Sequence, residues 1–563
     1  MSARSKSQAP TTGAATKRTP AKTAVAKPTA QAERPPYTSN ALGAPNAFGG
    51  PSTPGGFAKA QAVLERLSAL RAAREHWTPS WRELSSQILP RKGDSFAARA
   101  SGLAGLGARA SDEAVFDSTP AHSLELLASA LGGLLTNPAL PWFDLRLGRG
   151  APDGDEVRSF LAHCRERLLS LFNTEATGFQ ACVHELYLDL CLFGTAVLYV
   201  EPDSDCLVRF STRPLSEVHL AEDARGLVDT VIRSYSLTAR QAWAQWGCAC
   251  SPDVQKLALE DPEARVNLIH AVFPRTERDP ASPANTSFPF ACLFVEQDSG
   301  VLLEESGYHE MPYMCPRWAK VSGEAYGRGP GLTALSDVRV LNAMSRTALM
   351  AAEKMSDPPL MVPDDGFLGP IHSGPGGLSY YRAGSQDRIE ALPVRVDLSA
   401  IEAMIERRRQ SIRRIFLADQ LSPEAVNSTA TEALIRQTEK MRVLGPVLGR
   451  LQTEFLAPLI ERAFNILLRE GELPAWPAKL PQGSLQVDYA TPIAQAQRQA
   501  EAENLGQAVR YLQPLLAGGD PFHIMDNFEP DAMARHAATL FGLPPEYLRP
   551  KENVEAIRQG RKE

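Results

Sequence analysis

Hydrophobic positions along this chain change their period as the sequence proceeds. Between residues 58 and 77, Val63, Leu64, Leu67 and Leu70 fall at helical spacing. A second helix carries Trp77, Trp81, Leu84, Ile88 and Leu89 until Pro90 stops it. A third is expected through Leu124, Leu127, Leu131 and Leu134, capped by Asp117-Ser118-Thr119-Pro120 and ended by Thr136-Asn137-Pro138. Trp142-Phe143-Asp144-Leu145 predicts a strand, and residues 157–172 and 179–193 predict two amphipathic helices. After Gly194 the period becomes two. Residues 195–200, 207–211, 228–236, 266–273, 288–296 and 301–305 predict antiparallel strands, with turns at 223–226 and 298–300 and a short helix over 238–246. Helices followed by such strands predict an α+β unit over 57–325.

The period then returns to that of a helix and holds for longer. Pro330 suits a first helical turn, and no proline or internal glycine interrupts 332–356. Leu332, Leu335, Val338, Leu341 and Met344 form an apolar stripe that Leu349, Ala352 and Met355 continue, and Asp357-Pro358-Pro359 ends it. At 1.5 Å per residue this is a rod of about 40 Å. A turn-rich excursion with small strands fills 357–397. A second rod spans 398–417, with Leu398, Ile401, Ile405, Ile412 and Phe416 on one face. Two rods bracketing a small head carry more apolar surface than one partner helix covers, so Leu335, Val338, Leu341, Ile401, Ile405 and Ile412 are candidates for contact with neighbouring copies. Further on, 418–430 reads as a polar loop and 429–441 as a helix. Gly445-Pro446 reads as a break, and 447–468 as a long helix kinked at Pro458. Residues 473–477 form a linker before a strand at 485–489, a helix at 493–516 and short helices in 520–563.

Composition changes this picture at one end only. Residues 1–56 are rich in Ala, Pro, Thr, Ser and Gly, with seven Lys and Arg against the single acid Glu33. With little to bury, they are expected to be a disordered basic tail, either a solubilising leader or an electrostatic tether. The whole chain is 563 residues with a formal net charge of −6. It is long enough for three or four structural units and lacks the basic balance of a dedicated DNA-gripping protein. The eight cysteines include one close pair, Cys248 and Cys250, with no second pair at zinc-ligand spacing, so reduced cytosolic thiols are expected. The N-terminus has no apolar secretion signal, and apolar runs such as 124–135 fall short of the ~20 residues that span a bilayer.

Catalytic constellations do not emerge. The glycine-rich 102–107 lacks the following Lys-Ser/Thr of a phosphate loop, and neither a His-Glu-x-x-His nor a Gly-x-Ser-x-Gly occurs. No cofactor or metal is implied. Asp364-Asp365 is the pair a metal-dependent nucleic-acid enzyme would use, and a passive cytosolic scaffold is a further alternative. The densest basic run is Arg407-Arg408-Arg409 with Arg413-Arg414. It either lines a path for DNA, pairs with acids on a neighbouring rod, or is a hydrated face beside Glu402 and Glu406.

A series of short motifs runs through most of the chain. It includes Trp77 with Trp81 and Ile88-Leu89-Pro90, then Leu135-Thr136-Asn137-Pro138 with Trp142-Phe143, and Phe193-Gly194-Thr195-Ala196. Glu222-Asp223 with Gly226, Trp318, Tyr326-Gly327-Arg328-Gly329-Pro330 and Asn342 follow. Asp357-Pro358-Pro359, Ile415-Phe416 and Thr429-Ala430-Thr431-Glu432 complete it. In this order, over about 75–475, the chain resembles the portal, or head-to-tail connector, proteins of short-tailed phages. The 1–56 tail and the C-terminal part carry no matching motif.

The resemblance implies a mainly helical α+β portal fold in a ring of twelve subunits. Residues 57–325 with 431–471 would form the wing and inner helices, 326–356 and 398–417 the stem, and 357–397 the clip. Residues 418–430 would be a tunnel loop and 472–563 the crown. The implied role is a structural, non-catalytic conduit at a capsid vertex through which double-stranded DNA is packaged and later ejected. Its implied partners are further copies of itself, a terminase packaging motor, tail and adaptor proteins, and capsid and scaffold proteins, with no membrane. Assembly would take place in the host bacterial cytoplasm. A tunnel that let DNA slide would carry sparse positive charge, and Arg407, Arg408, Arg413, Arg414, Lys440 and Arg442 are the candidates.

Overall fold

The structure is a computed structural model that describes residues 54–92, 115–147, 155–279, 284–361, 390–391, 397–421, 444–474, 485–489 and 529–540, with a few further positions at 282, 476 and within 504–559. Most of the basic tail, the 102–107 loop, most of the expected clip and tunnel loop, the expected helix at 429–441 and most of that at 493–516 lie outside these residues; 504–507 and 510 are helical. So do Asp364, Asp365, Lys440 and Arg442.

The first helix, α1 (Pro54–Arg74), begins three residues inside the expected tail. Its Ala60, Val63, Leu67 and Leu70 lie on one face and pack on Ile232, Ile269, Ala271, Leu293 and Val295 of a sheet. Helix α2 (Thr78–Ile88) buries Trp81, Leu84, Ser85 and Ile88. Trp81 stacks on Trp77 at 5.7 Å and meets the edge of Tyr326 at 5.1 Å. Helix α3 (Thr119–Leu135) starts within the expected Asp117–Pro120 motif. Ser118 makes no side-chain cap, and instead Asp117 Oδ1 accepts from the Thr119 amide at 2.9 Å. Strand β1 (Phe143–Leu147), α4 (Asp155–Asn173) and α5 (Phe179–Phe193) follow. Every residue of α5 from Leu186 onward is buried, so it is the central helix of the main core.

The strands divide into two principal sheets. Strand β2 (Leu198–Asp203) pairs with β3 (Leu207–Thr212) and with the short β9 (Tyr313–Met314). The larger sheet is an antiparallel meander of β4 (Val218–Glu222), β5 (Val228–Thr238), β6 (Arg265–Pro274), β7 (Phe290–Glu296) and β8 (Leu302–Tyr308), in that order. Between β5 and β6 lie α6 (Ala239–Trp246), held by a Thr238–Gln241 capping box, and α7 (Pro252–Glu260), capped by Ser251. A buried polar chain joins the two sheets. His270 Nδ1 lies 2.7 Å from Tyr313 Oη and its Nε2 lies 3.3 Å from Cys292 Sγ, while Tyr199 and Tyr308 share a hydrogen bond of 2.9 Å. Burial pushes the His270 imidazole down to about 3, so it stays neutral.

Beyond the sheets come the two long helices, α8 (Pro330–Ser356) and α9 (Leu398–Ile415), the second capped by Asp397 accepting from Ser399 and Ala400. Strands β10 (Leu360–Met361) and β11 (Glu390–Ala391) pair just past them. Residues 444–451 are helical and run through a π turn at Gln452–Leu456 into α10 (Ala457–Arg469). Pro458 sits there because a proline has no N–H for the carbonyl of Glu454, and the widened turn removes that demand. The expected break at Gly445-Pro446 is instead helical backbone. Strand β12 (Leu485–Tyr489) returns to pair antiparallel with β1, and α11 (Pro530–Leu540) lies further on. The result is a mixed helix-and-sheet protein. Among the described residues no helix is long and apolar enough to cross a membrane.

Candidate functional site

The region from Gly194 to the start of α8 is fixed by backbone contact between two glycine motifs. Gly194 has φ +83°, and a Cβ there would lie 2.3 Å from the Gly329 nitrogen and 2.5 Å from the Gly327 oxygen. The Gly327 amide donates to Thr195 Oγ1 at 2.7 Å, and the Trp318 amide donates to the Gly194 carbonyl at 2.9 Å. Only glycines permit this approach. The last residues of α5 thereby set the direction in which α8 leaves the body.

Beside this contact lies a buried charge cluster. The Arg317 side chain is fully buried and donates to the Glu454 carboxylate through Nε at 3.0 Å and Nη2 at 2.8 Å. It also donates to Glu222, and to the Ala325 and Gly226 carbonyls at 3.2 and 2.9 Å. Lys320 reaches Glu222 at 2.8 Å, and Arg450 reaches Glu454 at 3.1 Å. Burial opposes the Arg317 charge, but the hydrogen bonds and charges of Glu454 and Glu222 outweigh it and raise its pKa. The cluster ties β4, the segment leading to α8, and the π turn before α10 into one unit.

The two long helices are buried at one end only. In α8 the buried side chains stop at Leu341, and in α9 they are Ile405 and Ile412. Polar braces hold the same end. Asp337 accepts from Arg408 at 2.9 Å and from Ser411 at 2.7 Å, so it links α8 to α9. Arg409 donates to Asp117 at 2.9 Å, Arg339 pairs with Glu83, and Asn342 donates to Gln87 at 3.0 Å. The Asp117 carboxyl is opposed by burial, but its bonds from Thr119 and Arg409 prevail and hold it below the ordinary carboxylate range. Past residue 341 no side chain of α8 is buried, and Leu349, Met350 and Met355 are exposed, as is Met404 on α9.

The structure therefore separates the residues singled out from sequence. Leu335, Val338, Leu341, Ile405 and Ile412 are buried in the protomer's own core, and Ile401 is half-buried against it. They join α8, α9 and the body; the exposed apolar side chains of the pair are Val340 at the root, Met404 beside Ile405, and Leu349, Met350 and Met355 further out. Of the basic candidates, Arg408 is engaged by Asp337 and Arg413 by Glu406 at 3.0 Å. Arg407 and Arg414 are exposed and form no ion pair among the described residues.

Sequence reasoning did not find the Arg317 cluster. Its signal was a charged residue amid Tyr313, Cys315, Pro316 and Trp318, but nothing in the sequence pointed to Glu454. Elsewhere, a cavity of about 430 Å³ is lined by Lys92, His184, Glu185 and Asp189. Lys92 Nζ already satisfies Asp189 at 2.6 Å there, and burial lifts that carboxyl to about 6. Among the described residues no group of three His, Cys, Asp or Glu is placed to hold a metal.

The fold is thus mixed helix and sheet, with a long helix pair rooted at one end and bare at the other. A family model described as bacteriophage head to tail connecting protein matches residues 60–548. The chain belongs to that family. It is 34% identical over 515 residues to the probable portal protein of Bordetella phage BPP-1, covering 89% of this chain and 90% of that protein. It is 30% identical over 515 residues, with the same coverage, to the portal protein of Salmonella phage epsilon15.

Proposed function

We propose that this chain forms a closed ring of twelve copies at one capsid vertex and acts there as a structural conduit for double-stranded DNA. Residues 57–325 and 431–471 form the wing and inner helices in this reading. Residues 326–356 and 398–417 form the stem, 357–397 the clip, 418–430 a tunnel loop and 472–563 the crown. The clip meets a terminase packaging motor during filling and tail or adaptor proteins afterwards, and the outer faces meet capsid and scaffold proteins in the bacterial cytoplasm.

The observation that carries this reading is the one-ended burial of the helix pair. The root is closed by Leu335, Val338, Leu341, Ile405 and Ile412, while exposed Leu349, Met350 and Met355 line the outer half of α8. A head-to-tail contact repeated around an axis covers such a surface on every copy and closes without free ends. The net charge of −6 fits a passage rather than a grip, since every phosphate neutralised adds salt-dependent affinity and drag.

Removal of this chain from a producing phage tests the role. The expected result is capsids without packaged DNA and without tails. Filled, tailed capsids made in its absence contradict it.

A further inference from the structure

We propose that Arg407 and Arg414 are the residues of α9 that touch the phosphate backbone of duplex DNA, and that Arg408 and Arg413 are braces. This rests on the conduit reading above and divides the basic run by its chemistry. Three acids beside α9 are already engaged, whereas Glu402 and Asp419 are exposed. Asp337 accepts from Arg408 and Ser411, Asp117 from Arg409, and Glu406 from Arg413 at 3.0 Å, with Arg409 ion-paired to Glu406 at 3.6 Å. What remains is a pair of cations with no counterion among the described residues.

Their place on the helix is specific. Positions seven apart lie nearly above one another, so Arg407 and Arg414 share a face, about 10.5 Å apart along the axis. Ile405 and Ile412, two residues before each, define the opposite, buried side. The shared face also holds exposed Ala400, Ala403 and Gln410 and half-buried Ser411, whose hydroxyl donates to Asp337, with exposed Met404 at its edge. The small side chains of Ala400 and Ala403 leave room for a broad polyanion to approach. Duplex DNA advances 3.4 Å per phosphate along each strand, so three steps cover about 10 Å and match the spacing of the two guanidinium groups. Two cations per copy, repeated by rotation about the passage, give two stacked rings of charge with no base readout, which suits a contact made to every sequence in turn.

The test uses the assembled full-length chain and a fluorescent duplex of about 30 base pairs, with affinity measured between 50 and 200 mM salt. Arg407→Gln with Arg414→Gln is compared with Arg408→Gln with Arg413→Gln, and each sample is imaged for rings. The proposal expects the first pair to weaken binding at least tenfold at low salt and to lower the log–log salt slope by about 0.9 for each phosphate that is no longer neutralised. The second pair leaves the slope unchanged. Rings with an unaltered slope in the first pair, or equal weakening in both pairs, overturn the proposal while the conduit reading stands. Loss of rings by the first pair with DNA binding intact overturns it too, and assigns the face to acids of a neighbouring copy. Wild-type protein that forms no rings removes the conduit reading itself.

Discussion

His270 links one residue's titration to the stability of the whole chain. Its imidazole is held neutral between Tyr313, Cys292 and the stacked ring of Phe294 at 4.3 Å, with its pKa depressed to about 3. A histidine depressed on folding binds fewer protons in the native state than in the unfolded one between about pH 6.5 and 3. Its contribution is therefore whole above about pH 6.5 and is lost as pH falls, by about 1.4 kcal/mol per unit. Denaturant unfolding at about pH 6.5 and about pH 5 should show a loss of about 2 kcal/mol that His270→Gln removes. Equal losses in wild type and variant would contradict the assignment. Asp117 acts in a separate window, because its lowered pKa confines its loss to pH below the ordinary carboxylate range. Arg317 is the second test at this scale. Arg317→Ala leaves Glu454 and Glu222 facing each other without their shared cation and should cost about 3–5 kcal/mol in unfolding free energy. A change under about 1 kcal/mol would show that the cluster is wet and weak. Neither residue's role was legible in the sequence. Glu454 lies 137 positions from Arg317 and Tyr313 lies 43 from His270, and single positions so far apart leave no periodic trace.

At the scale of elements the sequence was more readable, for identifiable reasons. The long helices stand out because apolar spacing of three and four persists over many turns, and Pro330, Asp357-Pro358-Pro359 and Asp397 punctuate it. Their ends match expectation within two residues. The strands from β5 to β8 were visible as alternation. Strand β4 and helix α7 were missed, although Ser251-Pro252-Asp253 is a serviceable helix-start signal, because both elements are short and lie between stronger neighbours. The pairing of β1 with β12 was invisible, since each strand is five residues and some 340 residues separate them. Which part of the apolar stripe faces inward was also hidden, because a stripe has the same period along its whole length. Two substitutions separate its parts. Leu341→Ala, at the root, should lower unfolding free energy by about 2–5 kcal/mol. Leu349→Asp, in the outer half, should leave protomer stability within about 0.5 kcal/mol and abolish assembly. The reverse pattern would place the neighbour contact at the root.

For the whole molecule, membership of the head-to-tail connecting family and the one-ended helix pair both support the proposal that copies of the chain assemble into a ring. The body provides a rigid root through the Gly194–Gly329 contact, the Arg317 cluster and the braces at Asp337 and Asp117. A rigid root keeps each outer half at a fixed angle to its body, and a fixed angle repeated between copies closes a ring when the rotation returns to its starting point. The measurement that tests this most directly is imaging of the purified chain together with its native mass. The account predicts ring-shaped particles with a central hole wide enough for duplex DNA and a mass near 730 kDa, about twelve times the 61.2 kDa chain. A stable 61.2 kDa species that shows no rings at high concentration would contradict it.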